Sequence, residues 1–177
     1  GGEDFTRVLI DVFQQTVSDK EKKGLDNFQQ HKLVAEAERA KIALTNVTEH
    51  EMVVELTQDG KESGTQNLVV TRDMFETASI PLIKRMQEPI KQALHDSRIR
   101  PGELDSVVLV GGATRMPMVS RLITKMFGRF PDRSLDPDHV IALGASIQGA
   151  LKNRDAALEE VILTDICPYT LGIEVVS

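Results

Sequence analysis

The sequence has few aromatic residues and a single cysteine, and each scarcity argues against a class of site. Six Phe, one Tyr and no Trp make up 4% of the 177 residues, too few for a platform on which nucleic-acid bases stack. Cys167 alone cannot form an internal disulfide or a Cys-rich zinc site. The four histidines are scattered without metal-ligand spacing. We therefore expect no metal site and no nucleic-acid partner.

Long apolar runs and targeting patterns are also missing. No apolar stretch approaches the ~20 residues that a membrane span requires, and the first residues show no signal-peptide pattern, so no membrane partner is expected. The net charge is −6, with acidic and basic residues interspersed, which is typical of a soluble globular domain. One cysteine suits a reducing, cytoplasmic location. Because the first residue is not Met, we expect a piece of a longer protein.

The first half of the chain is predicted to be a small α+β unit. Apolar residues at helical spacing predict a helix over 3–18 and, after a charged surface turn over 19–27, a second helix over 28–46. The inward side chains of the second helix are predicted to be Leu33, Val34, Ala37, Ala40 and Leu44. Strand-like segments over 52–56 and 67–71 predict a hairpin whose longer loop contains Gly60 and Gly64.

A helical pattern interrupted by Pro81 and Pro89 follows the hairpin. Thr71 is predicted to cap a helix that begins at Arg72, with Asp73 in its first turn. A proline removes a backbone donor and favours a helix start or a kink. We therefore place the best internal boundary near Pro81, between an α+β part and an α/β part.

The most informative stretch runs from residue 105 to residue 117. Val107–Val110 is a continuous β-branched and apolar run, as expected of a strand buried on both faces. Gly111-Gly112 follows at once, and a helix over 116–127 with Pro117 near its first turn comes next. A nucleotide often lies where a strand, a glycine turn and a helix start meet. A tight turn without a ligand fits this segment equally well.

The last predicted helix spans 137–153, after a loop over 128–136. Asp136 is a good N-cap, with Pro137 at the first helical position. This helix is rich in small residues, which allow close packing against a sheet or another helix.

Several stretches resemble one family in collinear order over essentially the whole chain. Val107–Pro117 resembles the second adenosine motif of the seventy-kilodalton heat-shock chaperones of the DnaK type. Ala37–Thr45 resembles the family's adenosine-contacting helix, Asp136–Gln148 its last nucleotide-side helix, and Gly1–Phe5 the entry to the outer part of its second lobe. The tail over 161–175 is most similar to the bacterial HscC-type branch.

The resemblance implies nucleotide-binding roles for particular residues. From spacing alone, Glu38, Lys41 and Thr45 form one polar stripe, which by itself is typical of a solvated face. In the family, the Glu and Lys positions meet the ribose hydroxyls and the purine, and the Thr position meets a purine nitrogen. Ile42 stands where some members have Arg.

The glycine motif carries the remaining implied contacts. Gly111 and Gly112 would both belong to the nucleotide site, and Gly112 would let the backbone approach the sugar and the α-phosphate. Arg115 would lay its guanidinium over the purine face. Met116 would line the same side, and Ala113 stands where relatives often have Ser or Gln. For Asp138 the sequence leaves two roles open: support of a helix N-terminus, or a contact on the adenine side. Arg115 would either cover the purine or be an ordinary surface arginine near a helix start.

The fold that the resemblance implies is α/β, as a fragment of lobe II of an actin-like ATPase. Residues 1–80 would be the α+β outer subdomain and 81–158 the α/β inner subdomain. Residues 159–166 would be the interdomain linker, and 167–177 the start of the peptide-binding domain.

The function implied is that of a molecular chaperone in protein folding and the stress response, which couples ATP binding and hydrolysis to the binding and release of unfolded peptides. Its cofactors would be ATP and ADP, with Mg²⁺ only in the intact protein. Its partners would include a nucleotide-exchange factor and a J-domain co-chaperone. The family's phosphate loops and phosphate-binding Lys are not in this sequence, and neither is a Walker-type loop. This chain alone is therefore expected to supply one wall of the adenosine pocket and the hinge, without catalysis.

Two other functions remain open from the sequence. The glycine motif alone permits a fragment of a sugar kinase with the actin superfold. A protein-interaction module that docks a partner and binds no nucleotide is the other alternative.

Overall fold

The computed structural model describes residues 1–18, 27–58, 61–153 and 170–173. It divides into two compact units, Gly1–Asp138 and His139–Ser177. The predicted turn over 19–27, except Asn27, lies outside the described residues, as do the predicted linker over 159–166 and Cys167. The predicted boundary near Pro81 and the four predicted subdivisions of the chain stay predictions.

The first unit contains five helices and one hairpin among its described residues. The helices are α1 (Gly2–Ser18), α2 (Asn27–Ala43), α3 (Arg72–Ala78), α4 (Ile80–Ser97) and α5 (Pro117–Phe127), and the strands are β1 (Glu49–Gln58) and β2 (Lys61–Thr71). Short 3-10 turns occupy Pro101–Glu103 and Gly112–Arg115. The second unit contains α6 (Val140–Lys152).

The core of the first unit lies between α1, α2 and the hairpin. Phe5, Leu9 and Phe13 recur every fourth residue on α1 and are almost fully buried, because positions i and i+4 share one face of a helix. The predicted inward positions 33, 37 and 40 on α2, and Leu44 directly after it, are likewise buried. The prediction for Val34 is wrong, since this side chain is 47% exposed. It follows Leu33 directly and therefore points about 100° away from the packed stripe.

The hairpin is confirmed, with longer strands than predicted. β1 and β2 pair antiparallel from Glu49 opposite Thr71 to Gln58 opposite Lys61. Alternate residues face the helices, so Met52 is buried while Val53 is exposed. The prediction that Gly64 lies in the hairpin loop is wrong. Gly64 pairs with Leu56 inside the ladder, next to a register shift, and has φ +145°, a conformation that favours glycine.

The helix start that Pro81 favours is confirmed, whereas its use as a boundary between subdomains stays a prediction. The Thr71 side chain accepts a hydrogen bond from the Met74 N–H at 3.2 Å, which caps α3 as predicted. α3 ends at Ala78, and α4 begins at Ile80 with Pro81 in its first turn, where a missing N–H costs nothing.

The predicted buried strand over Val107–Val110 is wrong. Only Val108 forms a bridge, to Asp132 in parallel orientation, beside a backbone hydrogen bond from Asp132 N–H to the Val107 carbonyl at 2.8 Å. Val108 and Val110 are 45% and 43% exposed. A ladder of bonds and two covered faces require neighbouring strands, and no such strand flanks this segment among the described residues.

The predicted N-cap of the last helix is also wrong. His139, not Asp136, occupies the N-cap position of α6, which begins at Val140 rather than at Pro137. The Asp136 carboxylate instead accepts from the Asp138 N–H at 2.9 Å and so closes a tight turn. Among the described residues no helix is long and apolar enough to cross a membrane.

Candidate functional site

A cavity of about 370 Å³ lies between α2 and the glycine turn. Its lining residues are Glu38, Lys41, Ile42, Thr45, Asn46, Gly112, Ala113, Arg115, Met116 and Asp138. Eight of the nine predicted nucleotide-binding residues are in this set; Gly111 is the exception. The volume falls in the range of about 300–1,000 Å³ that small-molecule sites occupy. Three parts of the chain, 38–46, 112–116 and Asp138, are therefore brought together around one ligand-sized space.

The polar stripe on α2 is an ordered network. The Lys41 ammonium donates to a Glu38 carboxylate oxygen at 2.6 Å, to the Thr6 hydroxyl at 3.1 Å and to the Gly2 carbonyl at 3.2 Å. The Lys41 side chain is 10% exposed, against 45% for Glu38. A solvated helix face is therefore the wrong interpretation for Lys41, since a buried ammonium requires such partners.

The same contacts determine the protonation of Glu38. The hydrogen bond from Lys41, and after it the one from Thr6, hold the pKa of Glu38 below its usual range. A bond donated to the charged form of a carboxyl stabilises that form. Glu38 is therefore an ionised acceptor at neutral pH, suited to ligand hydroxyl groups.

We expect Glu38→Gln to lower the free energy of unfolding at neutral pH and to have less effect in acid. Because the folded-state pKa is lowered, the carboxylate's contribution is complete above the unfolded-state pKa. It is lost as the pH falls through the lower, folded-state value. Denaturant unfolding of the wild type and of Glu38→Gln, from roughly pH 7 to roughly pH 3.5, measures the difference in free energy of unfolding at each pH.

The matched control is Glu49→Gln, which changes an exposed carboxyl on β1. Its effect should be small at every pH. A constant difference between wild type and Glu38→Gln across the series would show that the bonded carboxylate does not stabilise the fold.

The turn directly after α2, which carries Thr45, is held by Arg72. The Arg72 guanidinium donates to the carbonyls of Leu44 at 2.8 Å, Thr45 at 3.3 Å and Val47 at 2.8 Å. These carbonyls lie where a helix end leaves acceptors without intrahelical partners. Since Arg72 begins α3 directly after β2, the hairpin and α3 fix one edge of the cavity.

Glycine is required at positions 111 and 112 for two different structural reasons. Gly111 has φ +91° and ψ +145°, a region that residues with a side chain avoid. Gly112 faces Asp138, and a Cβ at position 112 would come within 3.1 Å of the Asp138 carboxylate. The first glycine therefore makes the turn possible, and the second keeps space beside Asp138.

Arg115 is clamped by two carboxylates. Its Nε and Nη2 donate to Asp138 Oδ2 at 3.0 and 2.7 Å, and Nη2 also donates to Asp136 Oδ1 at 2.9 Å. The contact with Asp138 above all raises the pKa of Arg115. Its side chain remains 48% exposed. The guanidinium is thus held in place while part of it stays accessible to a ligand. The Asp138 carboxylate accepts hydrogen bonds from Arg115 and so orients it.

A larger cavity of about 570 Å³ shares Thr45, Asn46 and Arg115 with the first. Its other lining residues are largely polar and come mainly from the 132–137 turn. The smaller cavity combines Gly112, Met116 and the Glu38–Lys41 pair, and this mixture of apolar surface with a few placed polar groups is typical of ligand sites. We therefore take the smaller cavity as the candidate site.

Two residues of the site were not predicted from the sequence. Asn46 lines the cavity directly after Thr45, and continuing the stripe past the helix end could have indicated it. Thr6 bonds both Glu38 and Lys41 from α1. No local pattern indicates Thr6, because its role depends on how α1 packs on α2.

The architecture and the comparison with known proteins agree on the class of this protein. Helices combined with an antiparallel hairpin fit the predicted α/β class in its actin-like ATPase form. A family model described as Hsp70 protein matches residues 1–177. The chain belongs to the Hsp70 family, and this confirms both the predicted family and the predicted fold class. The assignment to the HscC-type branch stays a prediction.

Individual relatives agree with the family assignment. The chain is 33% identical to a chaperone protein DnaK of Deinococcus deserti over 99% of its length and 29% of the relative's. It is 36% identical to a chaperone protein DnaK of Prochlorococcus marinus, over 98% of the chain and 28% of that protein. It is 37% identical to a chaperone protein dnaK3 of Thermosynechococcus vestitus, over 100% of the chain and 26% of that protein. The chain thus spans less than a third of these relatives.

Proposed function

We propose that this chain forms the adenosine-binding wall of the ATP-binding domain of an Hsp70-type chaperone. The observation that carries the proposal is the cavity of about 370 Å³, around which the polar stripe of α2 and the glycine turn meet. Family membership favours ATP over the other ligands that such a cavity could hold. It also favours the chaperone over the sugar kinase and the protein-interaction module.

The chemistry of the lining residues fits an adenosine. Glu38, held ionised by Lys41 and Thr6, is an acceptor for the ribose hydroxyls. The clamped guanidinium of Arg115 is suited to cover a purine face, a contact of about 1–2 kcal/mol when water is excluded. Met116 supplies a buried apolar side chain on the same side, and Gly112 lets the backbone approach the sugar.

The remaining functions are assigned to the complete protein. We propose that it binds ATP and ADP, holds Mg²⁺ and hydrolyses ATP with phosphate loops that this chain does not contain. Among the described residues no group of three or more His, Cys, Asp or Glu is placed to hold a metal ion. Nucleotide exchange factor, J-domain co-chaperone and unfolded peptide are its proposed partners, and the cytoplasm its proposed location.

The subdivision of the chain is proposed on the same basis. Residues 1–80 would move as the outer subdomain about a hinge near Pro81, where α4 begins. Residues 81–158 would be the inner subdomain, 159–166 the linker and 167–177 the start of the peptide-binding domain.

Lys41→Ala and Arg115→Ala should each weaken ATP binding by the complete protein by about 5–30-fold, or about 1–2 kcal/mol. Lys41→Ala removes the ammonium that holds Glu38 at the sugar, and Arg115→Ala removes the group that covers the purine. Titration calorimetry with ATP measures both effects.

The control variants remove a cation outside the cavity. Arg39→Ala changes an exposed residue of α2 that pairs with Glu36, and Lys91→Ala changes an exposed residue of α4 that pairs with Glu88. Both should bind ATP like the wild type. Unchanged affinity in both site variants would refute the pocket assignment, and a thermal shift with sugars or GTP instead of ATP would favour a different ligand class.

A further inference from the structure

Thr6 is the buried polar side chain that joins α1 to the polar stripe of α2. It is 5% exposed, and its hydroxyl lies 2.6 Å from Glu38 Oε2, 3.1 Å from the Gly2 carbonyl and 3.1 Å from Lys41 Nζ. A hydroxyl has one hydrogen to donate and lone pairs to accept with. The shortest contact assigns that hydrogen to Glu38, while Lys41 donates to the hydroxyl oxygen.

Among the described residues, the hydrogen bonds of Thr6, Glu38 and Lys41 use every donor of Lys41 but only one of the two Glu38 oxygens. An ammonium has three hydrogens, and Lys41 directs them to Gly2, Thr6 and Glu38. Glu38 Oε2 accepts from both Thr6 and Lys41, and no described residue donates to Glu38 Oε1. Lys41 therefore uses its donors within the protein, and Oε1 is the oxygen that stays available to a ligand hydroxyl.

We propose that Thr6 is a positioning residue for ligand recognition: it holds the Glu38–Lys41 pair so that Glu38 Oε1 accepts from the sugar hydroxyls of a nucleotide. The proposal rests on the proposed function and deepens it, since it adds a residue of α1 to a site otherwise built from α2 and the glycine turn. Thr6 does not line the cavity and acts only through its two partners.

The geometry explains why a hydroxyl is required at this position. Valine has nearly the same shape as threonine but neither donates nor accepts a hydrogen bond. It would leave Oε2 with one donor and Lys41 with one hydrogen unbonded in a buried place, and such loss is costly. Serine keeps the hydroxyl and loses only a methyl group. Thr6→Val and Thr6→Ser therefore separate the hydrogen bonds from the packing.

The test measures ATP affinity by calorimetry on the complete protein. Thr6→Val should weaken binding about tenfold, the effect of one lost hydrogen bond to a charged group. Thr6→Ser should remain within about twofold of the wild type. In a Glu38→Gln background, Thr6→Val should change affinity less than about twofold, because residues that act through one another are not additive.

Several results would overturn the proposal. These are an unchanged affinity in Thr6→Val, an equal loss in Thr6→Ser, or the full tenfold loss retained in the Glu38→Gln background. If Thr6→Val does not fold, Thr6→Ala replaces it with the same expectations. Failure of the wild type to bind ATP would overturn the proposed function and this proposal together, whereas normal wild-type binding with unaffected variants would overturn the role of Thr6 alone.

Discussion

Phe75→Ala is expected to lower the free energy of unfolding of this chain by about 3–5 kcal/mol, the cost of truncating a buried aromatic side chain. Phe75 is 1% exposed and packs edge-to-face on Phe5, with ring centroids 6.3 Å apart and ring planes at 80°. The substitution removes apolar burial and this aromatic contact together. Denaturant unfolding gives the difference directly.

The neighbouring residue provides the control. Met74 lies on the same short helix and is 40% exposed, so Met74→Ala should change stability by no more than about 0.5 kcal/mol. Similar losses in both variants would mean that α3 is not anchored through Phe75. Because Phe5 directly precedes Thr6, loosening this contact should also disturb the site.

Gly111→Ala is expected to cost about 1–3 kcal/mol of stability and to weaken nucleotide binding. The cause is backbone conformation alone, since a Cβ at position 111 would meet no heavy atom within 4 Å, while φ is +91°. Relief of that strain would change the turn that presents Gly112 and Arg115 to the cavity. Unfolding and ATP titration of the same variant measure the two effects.

Gly102→Ala separates backbone strain from the general effect of replacing a glycine. Position 102 also has open space around an added Cβ, but its φ lies outside the range that disfavours side chains. It should be close to neutral in both measurements. Equal losses at positions 102 and 111 would show that the positive φ of Gly111 is not what the turn requires.

Local patterns predicted most of the helices and strands of the first unit. Phe5, Leu9 and Phe13 are four residues apart, and helix periodicity places them on one apolar face. This spacing predicts α1 without knowledge of what packs against that face. Thr71 likewise caps α3 through atoms only three residues apart. Such features depend on short stretches of chain and are accessible without tertiary information.

Two failures occurred where an element depends on distant neighbours. Val107–Val110 has the composition of a buried strand, but strand pairing requires partners that composition cannot supply, and the described chain offers one bridge. Asp136 has good capping chemistry, yet its carboxylate is used by Asp138 N–H and Arg115. A side chain with several possible acceptors or donors takes the one that packing brings closest.

The sequence by itself determined the family, the helices of the first unit, the hairpin and eight of the ten residues that line the cavity. Only the tertiary structure decided that Lys41 is buried, that Asp138 clamps Arg115, and that Thr6 joins α1 to the stripe on α2. The physical reason is distance along the chain. Periodicity and motifs report neighbours within a few residues, whereas these contacts span 23 to 35 positions and exist only after the core has packed.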